Sequence, residues 1–136
     1  MVDFEYASLN PAAFDIANHF HEWTTNYSSS HILDPTLYPT FKQRCNFYLA
    51  YLNYASFLSS SSELPNRSDR TRELEIQTLE RQVHAWSPAS HGMWAVWSVV
   101  QAREDIEGAG AEEFDYVGYA KCRMQGFRKE LKQLGI

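Results

Sequence analysis

The sequence has 136 residues, of which 44% are hydrophobic and 15% aromatic, and its formal net charge is −5. This length and apolar content predict one globular domain, and the acidic balance argues against nucleic acid as a partner. No run of about 18 apolar residues is present, so the sequence predicts no membrane span. Cys45 and Cys122 lack metal-binding spacing, which favours free thiols in a reducing compartment, and we expect a cytoplasmic protein.

The first predicted elements are a strand and an amphipathic helix. Residues 2–7 predict a short strand that carries two acidic side chains. Asn10 followed by Pro11 is typical of a helix start, because Asn caps free backbone N–H groups and Pro is tolerated in the first turn. Apolar residues at helical spacing extend this helix to about Trp23. A loop rich in Ser and Thr follows at 24–36.

Two more helices precede an internal proline. Helical spacing of apolar residues predicts a second helix over 38–58, and "SSSSELPNRS" at 59–68 predicts a polar linker. A third helix starts near Ser68. We expect Ser87-Pro88 to end it, because proline lacks a backbone N–H and its ring clashes with the preceding turn.

The remaining residues predict two helices and one loop. Residues 88–103 are apolar on nearly every face, which predicts a buried helix. Residues 104–113, "EDIEGAGAEE", predict a loop, and 114–133 predict an amphipathic helix ending at Gly135. The chain is therefore expected to be mainly α-helical, with one strand followed by about five helices.

Two carboxylates flank a phenylalanine at the start of the chain, in Asp3-Phe4-Glu5. One interpretation is a solvated strand end. The other is a metal clamp, because Mg²⁺ prefers hard oxygen ligands and commonly takes one or two carboxylates together with substrate phosphates.

Aromatic residues cluster in the second half of the chain. Trp94 and Trp97 are spaced i, i+3 and so share one helix face, and three more aromatics follow after the predicted loop: Phe114, Tyr116 and Tyr119. They form either core or a cage for a quaternary ammonium group, to which each ring face contributes about 0.5–2 kcal/mol. Glu22 is either an exposed helix carboxylate or the counter-charge of that cage.

The five histidines show no catalytic or metal-binding spacing. None begins an H-x-x-x-H or H-E-x-x-H pattern, so the sequence predicts no zinc site. His91 is expected to be a hydrogen-bonded core or cap histidine. The absence of a G-x-S-x-G elbow argues against a serine hydrolase.

Two long motifs resemble the choline/ethanolamine kinases, which share the protein-kinase-like fold. "VDFEYASLNPAAFDIANHFHEW" is similar to that family's I-D-F-E-Y and F-D-I-x-N-H-F motif with its acidic–aromatic pair. "ASHGMWAVWSVVQA" resembles its A-S-H-x-x-W-x-x-W-x-x-x-Q-A segment, and "FDYVGYAKCR" resembles the aromatic stretch after it. The resemblance implies that residues 1–136 are one domain, the C-terminal helical lobe of this α+β fold with a short N-terminal strand remnant.

The resemblance also implies roles for particular residues. Asp3 and Glu5 match the family's metal-binding carboxylates, and Asp15 matches a structural Asp that braces the catalytic loop. The positions that match the family's choline pocket are Glu22, Trp23, Tyr27, Trp94, Trp97, Phe114, Tyr116 and Tyr119.

The sequence lacks the motifs with which kinases of this fold bind the nucleotide and remove the hydroxyl proton. No His is followed two residues later by Asp, whereas kinases of this fold use an H-x-D-x-x-x-x-N catalytic loop. None of the four Lys lies in a predicted strand, and Gly108 and Gly110 lack the third glycine of a phosphate-covering loop. We therefore expect a C-terminal fragment without N-terminal lobe or catalytic base, inactive on its own.

The leading hypothesis is the C-terminal part of a choline kinase, whose complete form uses ATP and Mg²⁺ to make phosphocholine in phospholipid synthesis. The alternatives are an ethanolamine kinase and a non-catalytic module that binds choline-like cations or another kinase chain. The expected partner is a small molecule, choline or ethanolamine, with no nucleic acid and no membrane span. A homodimer is left open by the sequence.

Overall fold

The computed structural model describes residues 8–26, 32–59, 68–108 and 114–136. These ranges contain four α-helices, and the mainly α-helical prediction is confirmed. The helices are α1 (Ala12–Glu22), α2 (Phe41–Ser59), α3 (Asp69–Gly108) and α4 (Tyr116–Leu134), with one 3-10 turn at Pro35–Leu37. The strand predicted at 2–7 lies outside the described residues, as does most of the predicted linker at 59–68.

Helix α1 begins one residue later than its sequence signal suggests. Pro11 occupies the capping position without a side-chain hydrogen bond, so the prediction that Asn10 caps the helix is wrong. The Asn10 amide instead donates to the backbone carbonyl and hydroxyl of Ser8. The carbonyl of Pro11 accepts the first helical bond, from the N–H of Phe14 at 2.9 Å. Pro11 therefore starts the helix through its fixed φ and its carbonyl.

Helix α3 is continuous over 40 residues, with Pro88 inside it. The prediction that Ser87-Pro88 ends a helix is therefore wrong. The predicted loop at 104–113 is wrong for 104–108, because the helix extends to Gly108, and residues 109–113 lie outside the described residues. Proline removes one backbone hydrogen bond, but α3 packs against both α1 and α4. We infer that this packing compensates for the lost bond and keeps the helix intact.

Only one side of the apolar part of α3 is covered by the described residues. Ala95 and Ser98 are buried, whereas Val96 is 65% exposed and Val99 is 61% exposed. The predicted burial of helix 88–103 is therefore wrong for its outer face. The reason is geometric, because helices that pack against one side of α3 leave its opposite side uncovered.

The core lies between α1, α2 and α3. Its buried members are Ala13, Ile16, Ala17, Phe20, Tyr48, Leu79 and Val83. The Phe20 ring contacts Tyr48 with a centroid distance of 5.8 Å and Phe47 with 5.3 Å. Complete burial of a side chain such as Phe20 stabilises the fold by about 1.5–3 kcal/mol.

A polar network ties α2 to α3 beside this core. The Arg44 guanidinium donates to both carboxylate oxygens of Glu80, with its Nε 3.1 Å from each, and also to the Pro39 carbonyl at 2.7 Å. The Tyr48 hydroxyl donates to Glu80 Oε2. Bidentate Arg–carboxylate pairs fix geometry as well as charge, so this network sets the position of α2 along α3.

Helix α4 carries capping residues at both ends. The Asp115 carboxylate accepts a hydrogen bond from the N–H of Gly118 at 2.7 Å, and Gly135 ends the helix with a φ of 81°. The predicted end at Gly135 is confirmed, since glycine adopts this left-handed conformation without a Cβ clash. None of the helices in the described ranges combines the length and apolar character needed to cross a membrane.

Candidate functional site

Five predicted pocket residues form a continuous row of ring contacts where α3 meets the start of α4. Trp94 contacts Trp97 at a centroid distance of 5.3 Å, and Trp97 contacts Tyr116 at 5.7 Å. Phe114 then contacts Tyr116 at 5.0 Å and Tyr119 at 5.5 Å. We call these five residues the aromatic row. Their interplanar angles lie between 65° and 82°, which are edge-to-face arrangements.

Arg123 connects the aromatic row to Glu22 on α1. Its side chain is 0% exposed, its Nε donates to the Tyr119 hydroxyl at 2.8 Å, and its Nη2 donates to Glu22 Oε1 at 3.1 Å. The guanidinium also lies over the Tyr119 ring, 5.1 Å from the centroid. Burial raises the pKa of the Tyr119 hydroxyl, although Arg123 opposes the shift. The structure therefore places Glu22 near the predicted cage through a buried cation.

Sequence reasoning missed Arg123 and Asn18. Asn18 Oδ1 accepts hydrogen bonds from the indole N–H of Trp94 and from the Ser90 hydroxyl, the latter at 3.0 Å. It therefore fixes the orientation of a tryptophan of the aromatic row from α1. A signal for Arg123 was available, because it follows Tyr119 by one helical turn and shares its face.

The other predicted site residues do not join this group in the described structure. Trp23 is 43% exposed, and its indole N–H donates to His19 Nε2 at 3.3 Å, so its contact is with His19. Asp15 is exposed on the first turn of α1. Tyr27, Asp3 and Glu5 lie outside the described residues.

A buried polar cluster lies next to the aromatic row, between α1, α3 and α4. His21 is 2% exposed and His91 is 6% exposed, which confirms the prediction of a core histidine at 91. Their rings stack with centroids 4.0 Å apart, and the Nε2 atoms of His21 and His91 lie 3.5 and 3.7 Å from Glu130 Oε1. We call His21, His91 and Glu130 the histidine cluster.

Burial and charge set the ionisation of the histidine cluster. Burial lowers the pKa of the His21 imidazole, and the neighbouring Glu130 carboxylate only partly offsets this. Burial alone would raise the pKa of the Glu130 carboxyl, but the two imidazoles outweigh it and hold that pKa well below its usual range. Glu130 is therefore an ionised carboxylate at neutral pH.

A cavity of about 680 Å³ opens beside the histidine cluster. It is lined by cluster residues together with Tyr38, Ser87, Cys122, Gly126 and Lys129, among others. This volume falls in the range of small-molecule sites, about 300–1,000 Å³.

Comparisons with known proteins agree with the motifs. The family model described as choline/ethanolamine kinase matches residues 1–128. The choline kinase of Schizosaccharomyces pombe is 30% identical over 99% of this chain and 38% of its own length. The human choline/ethanolamine kinase is 36% identical over 98% of the chain and 32% of its own length. A probable ethanolamine kinase of Nematostella vectensis is 37% identical over 95% of the chain and 34% of its own length.

The chain thus spans about a third of the length of these curated relatives. Its helical structure is consistent with the C-terminal helical lobe that the motifs imply. Because the family model covers nearly all of the sequence and the relatives align over almost its full length, the chain belongs to the choline/ethanolamine kinase family.

Proposed function

We propose that this chain is the choline-binding part of a choline kinase. The whole enzyme transfers the γ-phosphate of ATP to the hydroxyl oxygen of choline, giving phosphocholine and ADP. The observation that carries the proposal is the aromatic row, which gathers five side chains from α3, from α4 and from Phe114 just before α4, next to an acidic residue of α1. Membership of the choline/ethanolamine kinase family supports it.

The electrostatics favour a methylated ammonium over a primary one. A quaternary ammonium has no N–H to donate and is bound through ring faces, whereas a primary ammonium needs hydrogen-bond acceptors. Arg123 already donates to Glu22, which offsets part of that carboxylate's charge. The rings are therefore assigned the larger share of the binding energy, and choline is the preferred substrate.

The phosphate end of the reaction is assigned to other residues. We propose that Asp3 and Glu5 hold Mg²⁺. When this ion is bound, it would neutralise negative charge on the phosphate that is transferred. The base that accepts the hydroxyl proton is assigned to the part of the family fold that this chain does not match. On this proposal the chain alone binds choline without turnover.

A binding experiment on the 136-residue chain tests the proposal. Choline and 3,3-dimethylbutan-1-ol have nearly the same shape, but only choline carries a positive charge. We expect the choline methyl resonance to report saturable binding by NMR, and the neutral alcohol to bind more weakly. Equal affinity for the two compounds would contradict a cation cage.

Variants locate the site within the chain. Trp97→Leu keeps apolar volume but removes a ring face, so we expect choline affinity to fall about 2- to 30-fold, the equivalent of one cation–π contact. Trp86→Leu is the matched control, because Trp86 packs on Phe14 with a centroid distance of 6.3 Å, on another part of α3. Equal losses in both variants would argue against the aromatic row.

Ethanolamine is the second candidate substrate, supported by the relative named as a probable ethanolamine kinase. A titration with ethanolamine under the same conditions separates the two. Tighter binding of ethanolamine than of choline would transfer the proposal to an ethanolamine kinase.

A further inference from the structure

We propose that His21, His91 and Glu130 form a binding site for one divalent transition-metal ion of the zinc type. One ligand atom from each residue lies within 4.8 Å of the others. Two imidazole nitrogens with one carboxylate oxygen is a donor set that zinc accepts, with a fourth position left open. This site shares no residue with the Asp3-Glu5 pair and does not depend on the choline proposal.

The nitrogen–oxygen distances suit an ion placed between the three side chains. The two imidazole rings are stacked with centroids 4.0 Å apart, so they must turn out of this stack for both Nε2 lone pairs to meet at one ion. Zinc bonds of about 2.0–2.2 Å in a tetrahedron separate neighbouring ligand atoms by about 3.4 Å. The His21 Nε2 to Glu130 Oε1 distance is 3.5 Å and the His91 Nε2 to Glu130 Oε1 distance is 3.7 Å. These separations exceed those of good hydrogen bonds and are near the edge length of a metal-centred tetrahedron.

Hydrogen bonds on the far side of His21 select the tautomer that a metal requires. The Ser90 hydroxyl donates to Asn18 Oδ1 at 3.0 Å, so its oxygen accepts from His21 Nδ1, also at 3.0 Å. A neutral His21 therefore carries its proton on Nδ1, which leaves Nε2 unprotonated at 3.5 Å from Glu130 Oε1. Metal-binding histidines are commonly oriented by such an outer hydrogen bond.

The Glu130 carboxylate has an unused acceptor at this point. Its Oε2 atom is buried and accepts no hydrogen bond within the described part of the chain. A buried acceptor without a partner costs about 1–3 kcal/mol, and more for a charged group. A cation bound in bidentate fashion, by Oε2 as well as Oε1, would supply the partner that Oε2 lacks.

Two neighbours oppose the metal and define how it must bind. The Ser87 hydroxyl occupies the Nε2 lone pair of His21 at 3.0 Å, so it competes with the ion. Arg123 Nη1 faces His91 Nδ1 at 3.5 Å, which favours a His91 proton on Nε2. Metal binding therefore moves that proton to Nδ1 and breaks the long contact with Arg123, which keeps its bonds to Tyr119 and Glu22.

The cavity of about 680 Å³ gives the ion and its fourth ligand a route from solvent. Both His21 and Glu130 line it. A water molecule or an anionic group in the cavity would complete the coordination.

Titration of the purified 136-residue chain with Co²⁺, followed by displacement with Zn²⁺, tests the site. We expect one equivalent of Co²⁺ to produce the visible absorption of a low-coordinate ion, and Glu130→Gln to reduce the affinity at least tenfold. His84→Asn is the matched control, because His84 lines the same cavity but lies outside the cluster, and it should bind as the parent does. No absorption change, or an equal loss in His84→Asn and Glu130→Gln, would overturn the proposal.

Two serine variants separate metal binding from a structural role. Ser90→Ala removes the bond that orients His21 and should weaken Co²⁺ binding about 10- to 100-fold, as outer-shell changes do. Ser87→Ala removes the competing hydroxyl and should strengthen it. Loss of affinity in both variants, with folding retained by circular dichroism, would mean that the cluster is only a hydrogen-bonded core.

Discussion

The contact between α4 and His91 depends on the absence of a side chain at Gly126. A Cβ built at this position would lie 2.6 Å from both Cε1 and Nε2 of His91 and 2.9 Å from its Cδ2. These distances are well inside the ordinary carbon contact of about 3.5–4.0 Å. His91 has little freedom to retreat, because its ring stacks on His21 with centroids 4.0 Å apart.

Gly126→Ala should therefore destabilise the fold relative to the replacement of a helix glycine whose new Cβ makes only an ordinary contact. Alanine gains about 1 kcal/mol of helix propensity over glycine, while overpacking costs about 1–3 kcal/mol. Gly92→Ala is the matched variant, because its Cβ would meet Phe127 at 3.5 Å, an ordinary contact. We expect Gly92→Ala to gain up to about 1 kcal/mol and Gly126→Ala to lie about 1–3 kcal/mol below it.

Urea unfolding of both variants, followed by far-ultraviolet circular dichroism at neutral pH, measures this difference. The free energies of unfolding should diverge while the urea dependence stays the same, because neither change alters the surface exposed on unfolding. If Gly126→Ala is as stable as Gly92→Ala, His91 does not pack against α4 as described.

Two further predictions concern stability. Burial lowers the pKa of the His21 imidazole, so unfolding takes up protons below about pH 6.5, and the pKa of the Glu130 carboxyl is also lowered, which adds a further loss below about pH 4.3. The urea midpoint should therefore decrease as the pH is lowered from about 7.5 to about 5.5, and the decrease should be smaller in His21→Asn. A midpoint that does not change with pH in the parent chain would contradict a buried neutral His21. Tyr48→Phe removes a donor from Glu80 Oε2 and should lower the free energy of unfolding by about 1–2 kcal/mol, whereas no change would mean that solvent replaces the hydroxyl.

Local periodicity was sufficient to predict much of the helical structure and the members of the aromatic row. Helix α1 follows from the spacing of Ile16, Phe20 and their neighbours, and α4 ends at Gly135 as its terminal signals indicate. Trp94 and Trp97 share a face because residues three apart always do so in an α-helix. The family motifs are also local, since each is a contiguous stretch of side chains.

Tertiary packing decided what a local rule could not. Pro88 is a helix breaker by its own chemistry, yet α3 continues through it, because contacts with α1 and α4 outweigh one lost backbone bond. The exposed Val96 shows the converse, since an apolar residue is buried only where another element covers it.

The buried polar contacts join residues that are far apart in the sequence. Glu22 and Arg123 are 101 positions apart, and His21 meets Ser90 across 69 positions, so no spacing rule relates them. The sequence by itself determined the family, most of the helical segments and the residues of the aromatic row, because those depend on neighbours along the chain. The contact of Arg123 with Glu22 and the assembly of the histidine cluster were decided by the tertiary structure, because packing three helices together is what brings their charges within reach.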